Sequence, residues 1–364
     1  MVKIKDITSY LESIAPRSLQ ESYDNAGLIT GSGNDEVKGI LCTLDCIEAI
    51  VDEAIQRDCN LIVAHHPIVF SGLKQLNGKN YVERTIIKAI KNDIAIYAIH
   101  TNLDNVSNGV NEKFAELLSL QNTRILAPKS ETLLKLETYI PTENTDSVLE
   151  AIHAAGGGNI GNYTECSFRI LGTGTFTPNN QANPTIGEKG SKEFVEENKV
   201  EIIFPSFNKG AVIAALKKAH PYEEVAYYIV KTENQNQEIG SGMIGELKQP
   251  LSPDNFLKYI KDKLSLGMIK YTSVSKQISK VALCGGSGSF LLKAAMAQGA
   301  DAYVSADFKY HEYFDSEEKI MITDIGHYES EVATKELLNG FISEKFPNIA
   351  SYLSEVDTNP VQYF

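Results

Sequence analysis

Two adjacent histidines, His65 and His66, follow the apolar run Leu61 to Ala64 and precede Pro67. Such a run suits a strand buried on both faces, and Pro67 has no N–H to continue a ladder, so both imidazoles fall at the strand's carboxyl end. Successive strand side chains diverge, which lets one imidazole serve each of two metal ions. The alternative is a pair of strand-end histidines hydrogen-bonded to nearby backbone. The segment Ile94 to Ile99 repeats the design and leads into His100, Thr101, Asn102 and Asp104. Farther on, His327 and Glu331 stand four apart at the start of an expected helix, which puts an imidazole and a carboxylate on one helical face. Imidazole nitrogen and carboxylate oxygen are common ligands of divalent ions in hydrolases, and a carboxylate can bridge two ions.

These residues need a frame to meet. After a helix over 3–15, a strand over 38–44, a helix over 47–57 and the strand at 61–64 make a βαβ unit with parallel strands and a right-handed crossover. Ligands of open α/β sheets gather at the carboxyl ends of the strands, where Asp45, His65 and His66 all fall. A helix over 81–92 then leads to the strand ending at His100. Asp24 and Asn25 either cap a turn or reach the same edge.

From residue 128 to residue 230 the order changes to strand, helix, strand, a Gly/Pro/Asn-rich stretch (177–191), a strand from Lys199, helix, strand, which fits an inserted α+β ferredoxin-like module. Residues 1–127 and 231–364 then form one α/β domain around it. Within the insert, His220 and His153 read as structural more readily than as ligands, and the glycines at 156–161 read as a loop. The stretch from Val281 repeats the layout of the first βαβ unit, so two related halves are expected to face one cleft. Its turn CGGSGS (284–289) either cradles an anion on backbone N–H groups or permits close strand-to-helix packing. Asp307 and His311 follow the next strand near the same edge, His311 as a candidate proton carrier beside His100.

Composition narrows the class. With 364 residues, 43% hydrophobic and 22% charged, the chain is long enough for two cores and is that of a folded protein. A net charge of -13 and a pI near 5.1 make nucleic acid an unfavoured partner. No apolar run reaches the roughly 18 residues of a membrane span, and the start lacks a signal-peptide core. Five cysteines without a CxxC pair fit free thiols in a reducing cytoplasm.

Taken together, AHHP at 64–67, HTNLD at 100–104, GGSGS at 285–289, DFKYH at 307–311 and GHYESE at 326–331 resemble the GTP cyclohydrolase I type 2 homolog family, also called Nif-three-like. The resemblance runs from YDNAGLITG at 23–31 almost to the last residue, with Tyr23 where many relatives carry Trp. It implies a centre of two divalent ions, zinc first and manganese or iron as alternatives, held by His65, His66, Asp104, His327 and Glu331, with Glu331 bridging. It also implies a toroidal homohexamer, an insert like the CutA/PII domain, and hydrolysis of a nucleotide or related heterocycle. A regulatory or metal-handling hexamer without turnover, its insert sensing a small molecule, is the alternative.

Overall fold

The computed structural model describes residues 1–364, which divide into two compact units, 1–128 with 238–364 and 129–237. In the first, helix α1 (Ile4–Ile14) buries Ile4, Ile7 and Leu11, the one-face spacing of an amphipathic helix. After β1 (Gly27–Thr30) come β2 (Ile40–Thr43), α2 (Glu48–Gln56), β3 (Leu61–Ala64), α3 (Tyr81–Lys91) and β4 (Ala95–Ala98). Every residue of β2, β3 and β4 is buried, as expected of parallel strands covered on both faces. Their register is level: Thr43 stands beside Ala64, and Ala64 beside Ala98. The residues that follow, Asp45, His65, His66 and His100, therefore leave the sheet along one edge. His100 opens the single turn α4 (Thr101–Asp104), followed by α5 (Val110–Leu117).

Strand β5 (Gln121–Lys129) precedes the second unit, which contains β6 (Leu133–Pro141), α6 (Thr145–Ala154), β7 (Phe168–Phe176), β8 (Glu193–Pro205), α7 (Lys209–Ala219) and β9 (Tyr227–Lys231). Its sheet has the order β7-β8-β6-β9 with every neighbour antiparallel, so β6 and β7 run the same way with β8 between them, a split βαβ. Leu136, Val148, Ile152, Phe204, Val212 and Leu216 belong to the core between this sheet and its two helices. Strand β8 begins at Glu193 rather than at Lys199. The charge-rich stretch Glu193 to Asn198 carries little strand signal, and its pairing along β7, through Phe176 opposite Glu193, makes it one.

The chain re-enters the first unit through β10 (Asn236–Leu251), then forms α8 (Pro253–Lys263), β11 (Lys270–Tyr271), β12 (Ile278–Ser287), α9 (Leu292–Ala297), β13 (Ala302–Ala306), β14 (Met321–Asp324), α10 (His327–Glu331), α11 (Thr334–Lys345) and β15 (Ser351–Leu353). The second sheet is ordered β11-β14-β13-β12-β10-β5. Its central β12, β13 and β14 are parallel, with β11 antiparallel at the edge, just as β1 stands antiparallel to β4 in the first sheet. Strand β15 then returns to the first sheet, parallel to β2. No helix is long and apolar enough to cross a membrane.

Candidate metal centre

Four histidines converge at the carboxyl edges of these strands, each with one ring nitrogen held. Nδ1 of His65 faces the Ile99 carbonyl at 2.8 Å, Nδ1 of His66 faces Asp45 Oδ1 at 2.8 Å, Nδ1 of His100 faces Asp24 Oδ1 at 2.8 Å, and Nδ1 of His327 faces Asp307 Oδ2 at 2.6 Å. Carbonyl and carboxylate oxygens only accept, so each Nδ1 carries the hydrogen and Nε2 is the ring atom turned toward the other clustered groups. Fixing the tautomer and ring angle in this way is what metal-binding imidazoles require.

Glu331, only 4% exposed, places Oε2 3.0 Å from His66 Nε2 and 3.1 Å from His327 Nε2. His65 Nε2 and Asp104 Oδ1 are 3.6 Å apart, both buried and both without a hydrogen-bond partner. That separation is too long for a hydrogen bond, and each orphaned polar atom costs about 1–3 kcal/mol. Two ligand atoms ~2.1 Å from a shared ion at roughly right to tetrahedral angles stand about 3.0–3.5 Å apart. The cluster's spacings fit a divalent ion. Three overlapping groups have ligand atoms within 4.8 Å of one another: His66, His327 and Glu331; His65, Asp104 and Glu331; and His65, His66 and His100. Glu331 is common to the first two.

Protonation follows from the crowding. For His66, burial favours the neutral ring, but hydrogen bonds with Asp45 and Glu331 outweigh it and carry the imidazole up to about 10. Burial likewise opposes His327, yet Glu331 and Asp307 raise it to about 9. Burial depresses His65 to about 3, assisted by the cationic His66. Asp104 is pushed well above the usual carboxyl range by burial and by the Glu331 charge. Burial also works against ionised Glu331, but His327 and His66 hold it well below that range. Protons thus sit where cations would otherwise balance Glu331.

Around this cluster the structure separates the remaining candidates. Asp24 does reach the site, accepting from His100 and from the Thr101 N–H, and Asn25 ties its amide to the Val69 carbonyl in the loop after His66. His311 lies apart from the clustered groups: it is exposed and its ring rests near Tyr310 and Phe314. As a proton carrier for this cluster it lacks the contact that His100 has. Of the two readings of the CGGSGS stretch, the glycine contacts favour close strand-to-helix packing, and two of its N–H groups are already taken. Strand β12 runs through it to Ser287, the Gly285 N–H donates to Asn111 and the Gly286 N–H to Ser330. A side chain on Gly286, at φ +60°, would collide with Glu331 Oε1, so the glycine admits the carboxylate. His220 is structural, with Nε2 donating to the Tyr139 carbonyl and Nδ1 accepting from the Tyr222 N–H. His153 belongs to none of the three groups. Sequence reasoning passed over Asn111, Ser330 and Thr358, the last donating to Asp45 Oδ2 at 2.7 Å from far along the chain. Ordinary polar residues at such separations carry no local signal. Beside the cluster lies a cavity of about 420 Å³ lined in part by Asp45, His66, Asp307 and His327.

The sequence profile of the Duf34/NIF3 (NGG1p interacting factor 3) family matches residues 2–360. The chain belongs to this family. Among its Duf34/NIF3 relatives, a Bacillus subtilis (strain 168) protein named GTP cyclohydrolase 1 type 2 homolog is 38% identical over 99% of this chain and 98% of its own length. A Bacillus cereus protein related to NIF3 has a crystal structure that superposes with a TM-score of 0.87 at 37% identity, covering 100% of this chain and 99% of that one. Staphylococcus aureus protein SA1388 superposes at 0.79 with 30% identity, over 100% and 99%. The Duf34/NIF3 fold thus extends over the whole chain, insert included.

Proposed function

We propose that this Duf34/NIF3 chain is a dinuclear-metal-dependent hydrolase acting on a nucleotide or related heterocycle, a class suggested by the name GTP cyclohydrolase 1 type 2 homolog that its relatives carry. The observation that carries the reading is the pair of buried, unpartnered ligand atoms, His65 Nε2 and Asp104 Oδ1, beside a Glu331 shared with His66 and His327. In this reading His65, Asp104 and Glu331 would hold one ion and His66, His327 and Glu331 the other. Divalent ions, zinc foremost with manganese or iron as alternatives, would supply Lewis acidity and a water acidic enough to attack near neutral pH.

The chain's own residues do the rest. Asp45, Asp307 and the Ile99 carbonyl keep the ligand imidazoles aimed inward. His100, oriented through Nδ1 by Asp24 and lying 5.3 Å ring to ring from both His65 and His66, has Nε2 placed to take a proton from the attacking water and return it to a leaving group. The cavity beside His66 and His327 offers the substrate its place.

Product formation by metal-reconstituted protein against GTP, other nucleotides and phosphoesters tests this. Turnover with two ions per chain, lost in Glu331→Gln together with the metal, is the expected result; silence across the panel with both ions bound would defeat the hydrolase. A second reading, a ligand-sensing regulatory or metal-handling hexamer whose insert is like a CutA/PII domain, draws support from the split βαβ order of residues 129–237 and a separate cavity of about 710 Å³ lined there by Tyr139, Glu197 and Tyr222 among others.

A further inference from the structure

Residues 357–363 belong to neither the family motifs nor the ligand set, yet they wall the cavity beside His66 and His327 through Asn359, Pro360, Val361 and Tyr363. They are fastened on two sides. Thr358 Oγ1 donates to Asp45 Oδ2 at 2.7 Å, while Asn359 Nδ2 and the Tyr363 hydroxyl both donate to Glu329 Oε1, at 3.1 and 2.8 Å. Asp45 follows β2 in the first sheet, and Glu329 lies in α10 of the second half.

The bond to Asp45 differs in kind from the other two. Asp45 uses Oδ1 to hold His66 Nδ1, and its side chain is 31% exposed, so burial alone does not fix the carboxylate plane. A carboxylate anchored at one oxygen can swing about that bond; anchored at both, it cannot. Glu329, by contrast, holds none of the four imidazoles and shares its oxygen between two tail donors.

We infer that Thr358 is a positioning residue of the metal centre, setting the angle of His66 through Asp45 so that Nε2 meets the ion shared with His327 and Glu331. The inference rests on the metal-centre reading given above. Partners one step removed from a ligand commonly govern metal affinity by 10–100-fold. Thr358 stands one bond farther out, at the lower end of that range.

Cobalt(II) titration of the full-length protein, with chelator competition and visible ligand-field absorption as readouts, tests it. Thr358→Val, which keeps the shape and removes the hydroxyl, should weaken one of the two bound ions by about tenfold and change the spectrum, with Thr358→Ala as the second hydroxyl-free variant. Thr358→Ser should restore both affinity and spectrum. Tyr363→Phe, which cuts the tail elsewhere, should leave both unchanged. Wild-type loading and spectrum in both hydroxyl-free variants, failure of Ser to rescue, or equal weakening in Tyr363→Phe would each overturn the inference. A wild-type protein that takes up no cobalt would overturn the metal-centre reading and this one with it, whereas intact uptake with indifferent Thr358 variants would overturn this one alone.

Discussion

His66 and His327 show what the cluster asks of single residues. Both keep a proton in the metal-free chain, up to about 10 and about 9, and both must give it up to ligate. Metal uptake at their group is therefore expected to release about two protons, with affinity climbing as pH rises, which calorimetry in buffers of different ionisation enthalpy measures. The sign for stability is the opposite. Folded values above the ordinary 6.5 mean that the charged pairs stabilise the metal-free fold fully below that pH, and that this contribution is lost as pH rises through about 9 and 10. Melting of the metal-free protein should accordingly fall in alkaline solution, while metal-loaded protein resists. At this scale the sequence was informative about residue type: an imidazole pair after an apolar run and a His/Glu pair at helical spacing were both visible. The bonds that aim them were less so. Asp45 and Asp307 could be placed at the right edge, but which ring each would hold depends on distances no spacing encodes, and Thr358 is legible only once β15 has carried the tail back to the first sheet.

Elements explain why short apolar strands were read directly while the glycine stretch left two readings open. The runs at β2, β3 and β4 are buried throughout, so an unbroken hydrophobic string marks them. Gly285 and Gly286 instead sit within a strand, where glycine ordinarily weakens pairing, because α10 presses Glu331 against them. Gly286→Ala is expected to expel the carboxylate from its place and to lower metal content severely, besides costing about 1–2 kcal/mol for a side chain at positive φ. Gly299, also at positive φ (+72°) but with open space around its would-be Cβ, provides the comparison: Gly299→Ala should lose about 1–2 kcal/mol in denaturant melts and no metal. Equal metal content in the two variants would refute the packing role assigned to Gly286.

For the molecule as a whole, every clustered ligand candidate lies outside residues 129–237. Strands β5 and β10, which precede and follow the insert, are neighbours in one sheet, so a short linker can join them. Replacing residues 130–236 with such a linker should leave metal content at the wild-type level by elemental analysis; loss of metal from a protein that still melts cooperatively would show that the insert supports the centre. The change from βαβ to split-βαβ order made the insert visible in the sequence, and the repeat of parallel strands in β2–β4 and β12–β14 was visible as a repeated layout. The charged start of β8 was not, since a strand with little hydrophobic alternation is recognised only by the hairpin partner it finds.

The return of β15 to β2 has a further meaning for how the protein is made. His65, His66, His100 and Asp104 emerge from the ribosome before the insert, whereas His327, Glu331 and the strand that closes the first sheet emerge long after it. The centre therefore has no complete ligand set during most of synthesis, and its assembly awaits contacts of large sequence separation, the slowest kind to form. Nascent chains should carry an unfinished first sheet with its β2 edge unpaired, and on the proposed metal-centre reading the ions would enter at the end of folding rather than at its beginning.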